Sequence, residues 1–271
     1  METNILTSCL IVPDWPAAKS IRAYCTTRKG GGSQAPYHSL NLATHVGDAP
    51  VAVEENRQQL TRALSLPNSP LWMAQQHTTK LLYMPEYSGV DGVQNVPVAD
   101  ACWSDRSGDV CAVLTADCMP ILLCDQQGSW VAAIHAGWKG LLDGIVQKSL
   151  QQILVQKETP AEAVLAWIGP AISQAHFEVG VEVQRAFTLA YPENAVFFRP
   201  NPINQSRFFA DLSGIAEALL RQKGVQQITQ SALCTYANPQ QFFSYRYACH
   251  HPEIETEAGK TGRMASLIWR V

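Results

Sequence analysis

Residues 115–140, TADCMPILLCDQQGSWVAAIHAGWKG, constrain the fold of this chain more strongly than any other segment. They contain two apolar runs of strand length, residues 119–124 and 130–134, joined by a short polar stretch with a glycine. Apolar runs of this length bounded by turn residues predict a strand, a turn and a second strand. A helix is expected to begin soon after Gly137.

A cysteine and a histidine lie at the ends of this predicted hairpin. Cys118 comes directly before the first apolar run, and His135 comes directly after the second. Because paired antiparallel strands bring these two positions to the same edge of a sheet, we expect their side chains to lie close together. A thiolate beside an imidazole suits either a metal site or a nucleophile with its base.

Composition narrows the class of protein. The chain has 271 residues and a net charge of −3, without a long basic or acidic run. This charge gives no reason to expect nucleic acid or an anionic membrane as a partner, so a small-molecule substrate is favoured. No apolar stretch approaches the roughly 18 residues of a spanning helix, and the first residues lack the basic region of a signal peptide. The eight scattered cysteines are typical of reduced thiols, which places the protein in the cytoplasm.

The rest of the chain alternates between strand-like and helix-like patterns, which predicts an α/β fold. Strands are predicted at residues 5–12, 21–27, 71–77, 80–84, 110–114, 164–168 and 265–269. Helices are predicted at residues 50–64, 139–156 and 212–223, with another that ends near Tyr191.

His77 is a third candidate ligand, at the end of one of these predicted strands. A single histidine in this position is more often a structural residue than a metal ligand. Together with Cys118 and His135, however, it completes a three-ligand set that leaves zinc a fourth position for water or substrate. The separations in sequence are long, so no local spacing rule decides between the two interpretations.

Several cationic residues have open roles. Arg28 precedes three glycines, residues 30–32, whose main-chain N–H groups are able to approach an anion, but the ending of a P-loop is missing and a turn explains the pattern equally well. Arg57 lies in a predicted helix and either faces solvent or reaches an anion. Arg246 follows aromatic residues, which suits stacking or oxyanion binding as well as simple burial of the aromatics.

Motifs along nearly the whole chain resemble the YfiH-like family, whose members have been called laccase-domain or polyphenol oxidase proteins, purine nucleoside phosphorylases and peptidoglycan editing factors. The motifs are TTRKGGGS, SLNLATHVGD, the segment at residues 75–77, TADCMPILLCD, HAGWKG, IGPAIS, FEVG, FFSYR and TGRMAS. The resemblance implies a single α/β domain over residues 1–271, with sandwiched mixed sheets flanked by helices, similar to the catalytic domain of cytotoxic necrotizing factor toxins. It also implies a metal, usually taken as zinc with copper as the alternative, held by His77, Cys118 and His135.

The function implied by the resemblance is phosphorolysis of purine nucleosides, namely inosine, adenosine and methylthioadenosine, with adenosine deamination as a further activity. The expected partners are therefore purine nucleosides and phosphate, and we expect a monomer. On this hypothesis Arg28, Asn41, Arg57 and Arg246 contact phosphate or sugar. Two departures from the family pattern, Lys139 for an arginine and Tyr247 for an arginine, bear on phosphate or substrate affinity.

Three alternatives remain open. In the first, the protein is a thiol hydrolase instead of a metal enzyme, with Cys118 as the nucleophile and His135 as its base. Copper oxidase chemistry is poorly supported, because multicopper oxidation needs more histidines than the seven present. A non-catalytic protein that edits cell-wall precursors would use a structural zinc, and such a site normally has a fourth protein ligand.

Overall fold

Twelve strands form three sheets in the computed structural model, which describes residues 9–87, 96–252 and 258–271. The strands are β1 (Ile21–Cys25), β2 (Leu81–Tyr83), β3 (Ala101–Ser104), β4 (Cys111–Thr115), β5 (Met119–Asp125), β6 (Val131–Ala136), β7 (Val164–Ile168), β8 (Glu178–Gly180), β9 (Phe198–Pro200), β10 (Arg207–Ala210), β11 (Gln227–Gln230) and β12 (Met264–Arg270). The largest sheet has the order β11-β7-β5-β6-β3-β2, and two three-stranded sheets have the orders β1-β12-β4 and β8-β10-β9. The largest sheet is mixed, because β2–β3 and β7–β11 pair in parallel and its other neighbours pair antiparallel.

Among the described residues, six named α-helices pack around these sheets. They are α1 (Pro50–Leu64), α2 (Trp138–Leu142), α3 (Ile145–Lys157), α4 (Val181–Ala190), α5 (Leu212–Gln222) and α6 (Tyr245–His250), and short 3-10 helices cover Met84–Glu86, Ala161–Ala163 and Pro192–Phe197. In the described ranges, no helix has both the length and the apolarity needed to cross a bilayer.

The core is arranged in layers. On one face of the six-stranded sheet, Ile121 of β5 and Ile134 of β6 pack in a cluster with residues of α3 and α5. On its other face, Leu122 and Ala133 belong to a cluster that includes residues of β1, β4 and β12. The other face of the three-stranded sheet β1-β12-β4 packs against α1 through Leu60. These layers confirm the predicted α/β class with sandwiched sheets flanked by helices.

The central strands are apolar on both faces because both faces are covered. Every residue of β5 and β6 is buried. The two strands therefore appear in the sequence as continuous apolar runs instead of an alternating pattern. Strand β1 belongs to the outer sheet and shows the alternation of a strand with one more exposed face.

Local predictions fail where a single residue changes the chain direction. The predicted helix over residues 139–156 is interrupted at Gly144, whose φ of +86° is left-handed, so α2 and α3 are separate helices. The predicted helix over residues 50–64 is confirmed with the same bounds as α1. Helix α6 was not predicted; it begins after Ser244, whose hydroxyl accepts a hydrogen bond from the main-chain N–H of Tyr247.

Two predicted strands also differ from the structure. Residues 71–77 form only an isolated bridge between Ala74 and Val98, because the side chain of Gln75 takes the place of a strand partner and bonds both the N–H and the carbonyl of Leu114. The predicted strand at residues 5–12 lies partly outside the described residues. In its described part, Ile11 forms a single bridge to Cys25.

Candidate functional site

The central hairpin places Cys118 and His135 at one edge of the six-stranded sheet. Strands β5 and β6 pair antiparallel with Pro120 opposite His135, so Cys118 lies at the same end as the histidine. His135 is buried and Cys118 is half-buried. The residue before the cysteine, Asp117, has a φ of +95°, and its carboxylate accepts hydrogen bonds from the hydroxyl of Thr235 and the main-chain N–H of Arg246. Asp117 therefore ties the Cys118 turn to the loop of Thr235 and to the first turn of α6.

His77 joins this pair from the loop before β2. The ligand atoms of His77, Cys118 and His135 all lie within 4.8 Å of one another, and His77 Nε2 is 3.6 Å from Cys118 Sγ. The two imidazole rings meet edge to face, with their centroids 4.9 Å apart. His77 is exposed and has a φ of +58°, which is a rare conformation for a non-glycine residue. The structure thus brings together three candidate ligands that are distant in sequence.

Asp100, a buried residue just before β3, holds both histidines. One of its carboxylate oxygens, Oδ1, accepts hydrogen bonds from His135 Nδ1 at 2.8 Å and from the main-chain N–H of His77 at 3.0 Å. The other, Oδ2, accepts bonds from the main-chain N–H groups of Gln76 and Thr78 and from the Thr78 hydroxyl. Because His135 Nδ1 donates to Asp100, its Nε2 is the atom left to act as a ligand.

These contacts change the proton affinities of the site. Burial by itself would raise the pKa of Cys118, but the charge of His135 and hydrogen bonds from both histidines lower it to about 6. Burial likewise opposes charge on His135, yet Cys118 and Asp100 raise its pKa to about 9. Hydrogen bonds from His135 and Thr78 outweigh the burial of Asp100 and lower its pKa to about 2. Without metal, the site therefore favours thiolate, imidazolium and carboxylate at neutral pH.

Gly137 is required by the close approach of the ligands. A Cβ added at this position would lie 2.4 Å from His77 Cδ2 and 2.9 Å from Cys118 Sγ, both shorter than real Cβ contacts. The φ of Gly137, −77°, is ordinary for any residue. The glycine of the HAGWKG motif thus leaves room for the ligands and is not needed for backbone conformation.

The cluster opens into a cavity of about 470 Å³. Its polar lining includes Asp117, His45, Arg246 and Arg263, and its apolar and aromatic lining includes Trp138, Ile172, Phe177 and Tyr245. A cavity of this size, with apolar walls and a few polar groups, suits a small organic molecule.

Of the four predicted substrate contacts, Arg246 lies at this cavity. Its guanidinium lies over the ring of Phe177, 5.3 Å from the centroid, and Nη1 donates to the carbonyl of Glu178. The other three have contacts elsewhere. Arg28 donates to the carbonyls of His38 and Pro239 and lies over the ring of Phe243.

Asn41 and Arg57 also lie away from the cavity lining. Asn41 is fully buried, and its side chain bonds Ala43 and the carboxylate of Asp48. Arg57 donates twice to the carbonyl of Leu42 and lies over the ring of Trp72. These contacts give both residues a structural role, and their assignment to substrate stays a prediction. The same holds for Arg28.

Sequence reasoning missed Asp100, His45 and Arg263. Asp100 adjoins an apolar strand, and a carboxylate at a strand edge near predicted ligands was the available signal for it. Arg263 belongs to the TGRMAS motif, but no local pattern links residue 263 to residue 118. Lys139 and Tyr247, the two departures that replace an arginine of the family pattern, are not part of the cavity lining among the described residues.

Comparisons with known proteins agree along nearly the whole chain. The family model described as multi-copper polyphenol oxidoreductase laccase matches residues 22–271. A Pseudomonas aeruginosa protein named purine nucleoside phosphorylase is 41% identical over 263 residues, covering 96% of this chain and 97% of the relative. The Escherichia coli purine nucleoside phosphorylase YfiH is 40% identical over 264 residues, covering 97% of this chain and 100% of the relative.

Solved structures show the same fold. The crystal structure of a Neisseria meningitidis protein is similar with a TM-score of 0.85 and 40% identity, covering 96% of this chain and 98% of that one. YlmD from Geobacillus stearothermophilus is similar with a TM-score of 0.84 and 28% identity, covering 94% and 93%. On sequence and on structure, this chain belongs to the YfiH-like family, the laccase-like family in which several relatives are named purine nucleoside phosphorylase.

Proposed function

We propose that this chain is a zinc-dependent purine nucleoside phosphorylase. It transfers the ribosyl group of inosine, adenosine or methylthioadenosine to phosphate, and it deaminates adenosine as a second reaction. One observation carries the proposal: three ligand atoms within 4.8 Å of one another lie at a cavity that also contains two arginines. The names of the relatives at about 40% identity support the substrate class.

The donor set fits zinc. Two imidazoles and one thiolate are ligands that zinc prefers, and three protein ligands are typical of a catalytic site with an open position. Within the described ranges, the cluster contains no fourth histidine, cysteine or carboxylate ligand, which is the group that a structural site would normally have. A zinc ion held by His77, Cys118 and His135 would act as a Lewis acid toward an oxygen of phosphate or water.

The surrounding residues prepare the reaction. Asp100 fixes the ring of His135 and the loop of His77, so both ligands are in place before substrate enters. Phe177 and Trp138 supply apolar surface on which a purine is able to pack. The guanidinium groups of Arg246 and Arg263 attract phosphate into it.

The products distinguish the reactions. Inosine with phosphate should yield hypoxanthine and ribose 1-phosphate in equal amounts, followed by chromatography, and omission of phosphate should stop hypoxanthine release. Hypoxanthine release with free ribose in the absence of phosphate would instead indicate a hydrolase. Adenosine should give inosine and ammonia if the second reaction occurs. Cys118→Ser should remove both activities, whereas Cys9→Ser, outside the cavity lining, should retain them.

A cysteine-dependent hydrolase is a second candidate, and the geometry of Cys118, His135 and Asp100 favours it specifically. A thiol with a pKa near 6, an adjacent imidazole and a carboxylate bonded to that imidazole match the nucleophile, base and orienting group of cysteine enzymes. This candidate requires activity that survives metal removal and is lost on alkylation of Cys118.

Other readings of the family have less support. Multicopper oxidation needs several copper ions, whereas the described residues contain one cluster of three potential ligands. Editing of peptidoglycan precursors would place a larger ligand at the same cavity, and we retain it as an alternative role.

We also propose that residues 1–271 form one catalytic domain that acts as a monomer in the cytoplasm. No disulfide joins any described cysteines.

A further inference from the structure

Two arginines reach the cavity from different segments of the chain. Arg246 lies in the first turn of α6, and Arg263 lies directly before β12. The Nη1 atom of Arg263 donates to the carbonyls of Thr261 and Gly262, at 2.8 and 2.9 Å. Among the ion pairs of the described residues, neither arginine is paired with a carboxylate. Each therefore keeps positive charge available to a ligand.

The main chain at Arg263 is fixed from inside the protein. The fully buried Asn41 accepts a hydrogen bond from the N–H of Arg263 at 3.0 Å, and its amide group donates to Asp48. A Cβ added at Gly262 would lie 2.6 Å from the ring of Phe243. The SLNLATHVGD and TGRMAS motifs thus meet at this point, and Asn41 acts by positioning Arg263.

The guanidinium of Arg263 lies in an environment that favours an anion. It lines the same cavity as Cys118 and Asp117, whose negative charges oppose the lowering of its pKa by burial. A half-buried cation without a carboxylate partner has lost part of its hydration and gains stability from an anion that bonds it. Partial burial and the charges of Arg263 and Arg57 lower the pKa of His45, which lines the same cavity; this shift favours the neutral imidazole, a form with one N–H to donate.

Arg246 has different surroundings. Its guanidinium lies over Phe177 and donates to the carbonyl of Glu178, beside the apolar wall of the cavity. Aromatic surface suits a purine or ribose face, whereas the two-pronged donor geometry of a guanidinium near a metal-ligand cluster suits a tetrahedral oxyanion. The two arginines are therefore not equivalent.

We infer that Arg263, with His45 beside it, forms the subsite for inorganic phosphate next to His77, Cys118 and His135, while Arg246 and Phe177 contact the nucleoside. This inference rests on the proposed phosphorylase function. It assigns phosphate to the cavity that also contains the cluster, where the oxygen that attacks the ribose is needed.

Isothermal titration calorimetry of the purified protein with inorganic phosphate tests the subsite without requiring turnover. Arg263→Gln should raise the dissociation constant for phosphate at least about tenfold, because a charge-assisted hydrogen bond is lost. Arg263→Lys keeps the charge but loses the two-pronged geometry, so its affinity should lie between those of Arg263→Gln and the original protein. Arg185→Gln removes an exposed arginine outside the cavity and should bind phosphate normally; melting curves check that each variant folds.

Steady-state kinetics adds a second readout. Arg263→Gln should raise KM for phosphate more than KM for inosine, and Arg246→Gln should do the reverse. Normal phosphate affinity in Arg263→Gln, or a larger loss in Arg246→Gln, would overturn the subsite. Binding of inosine monophosphate through Arg263 without binding of inorganic phosphate would also overturn it. Phosphate binding through Arg263 without phosphorolysis would leave the subsite standing and refute the proposed function instead.

Discussion

Asp100 and His135 are joined twice, by the bond from His135 Nδ1 to the Asp100 carboxylate at 2.8 Å and by the bond from the His135 main-chain N–H to the Asp100 carbonyl at 2.7 Å. The same carboxylate accepts the main-chain N–H of His77. One buried residue thus holds two proposed metal ligands in position.

Asp100→Asn should weaken metal binding by about 10- to 100-fold, as expected when the group that orients a histidine ligand is lost. An amide presents an N–H group where the carboxylate accepts several donors, so the loop of His77 should also shift. Competition with a chromophoric chelator measures the affinity. Asp105→Asn removes a carboxylate that pairs with Lys157 away from the cluster and should leave metal affinity unchanged. Equal losses in both variants would contradict the role of Asp100.

Gly137→Ala should reduce metal affinity at least about tenfold while the protein stays folded, because the new methyl group overlaps His77 and Cys118 and the backbone conformation tolerates alanine. Gly32→Ala is the matched control, since a Cβ at Gly32 meets nothing within 4 Å. Circular dichroism and the same chelator competition separate folding from binding. A Gly137→Ala variant with normal affinity would show that the ligands are not packed around this position.

In the metal-free protein, iodoacetamide should alkylate the thiol of Cys118 even in mildly acidic solution. Its pKa is about 6, against an ordinary value of 9.0, so the thiolate predominates at pH 7 and the rate should fall only as the pH drops through 6. Mass spectrometry after a short exposure to iodoacetamide at several pH values gives the profile. Cys25 is the internal control, because burial raises its pKa to about 12 and it should stay unmodified in the folded protein. A midpoint near pH 9 for Cys118 would contradict the thiolate–imidazolium pair.

Lys139→Arg, which restores the residue common in the family, should change kcat/KM by no more than about twofold. Lys139 is exposed, and its ammonium group lies 5.7 Å from the centroid of the Trp138 ring, outside the described cavity lining. Initial rates at several inosine and phosphate concentrations check this. A large fall in KM for phosphate would show that the arginine position does contact substrate.

The sequence predicted most accurately the helices and hairpins whose structure depends on residues close together in the chain. The hairpin of Cys118 and His135 follows from two apolar runs and a turn, and helix α1 follows from its apolar stripe and Pro50 at its first position. The approach of His77 to Cys118 depends on loops 41 residues apart, which no local pattern specifies. The residue types suggested grouping His77 with Cys118 and His135, and the family resemblance decided in favour of that grouping.

The features that were missed depend on tertiary contacts. Asp100 looks like any acidic residue at a strand edge until its five hydrogen-bond donors are seen together. Local sequence did not show which arginines line the cavity, because this depends on their hydrogen bonds in the folded chain. Arg57 donates to the Leu42 carbonyl, and Arg263 donates to a carbonyl of its own loop. The apolar pattern of residues 139–156 continues across Gly144 and therefore predicted one helix. The pattern carries no information on backbone angles, so it did not predict the positive φ of Gly144 that separates α2 from α3.

The most direct test of the zinc-dependent phosphorylase is hypoxanthine release from inosine and phosphate by one preparation in three states: as purified, stripped by chelator, and restored with zinc. We predict about one metal per chain as purified, loss of release on stripping, and recovery with one equivalent of zinc. Full phosphate-dependent release by the stripped protein, with metal content verified as negligible, would contradict a catalytic metal at His77, Cys118 and His135.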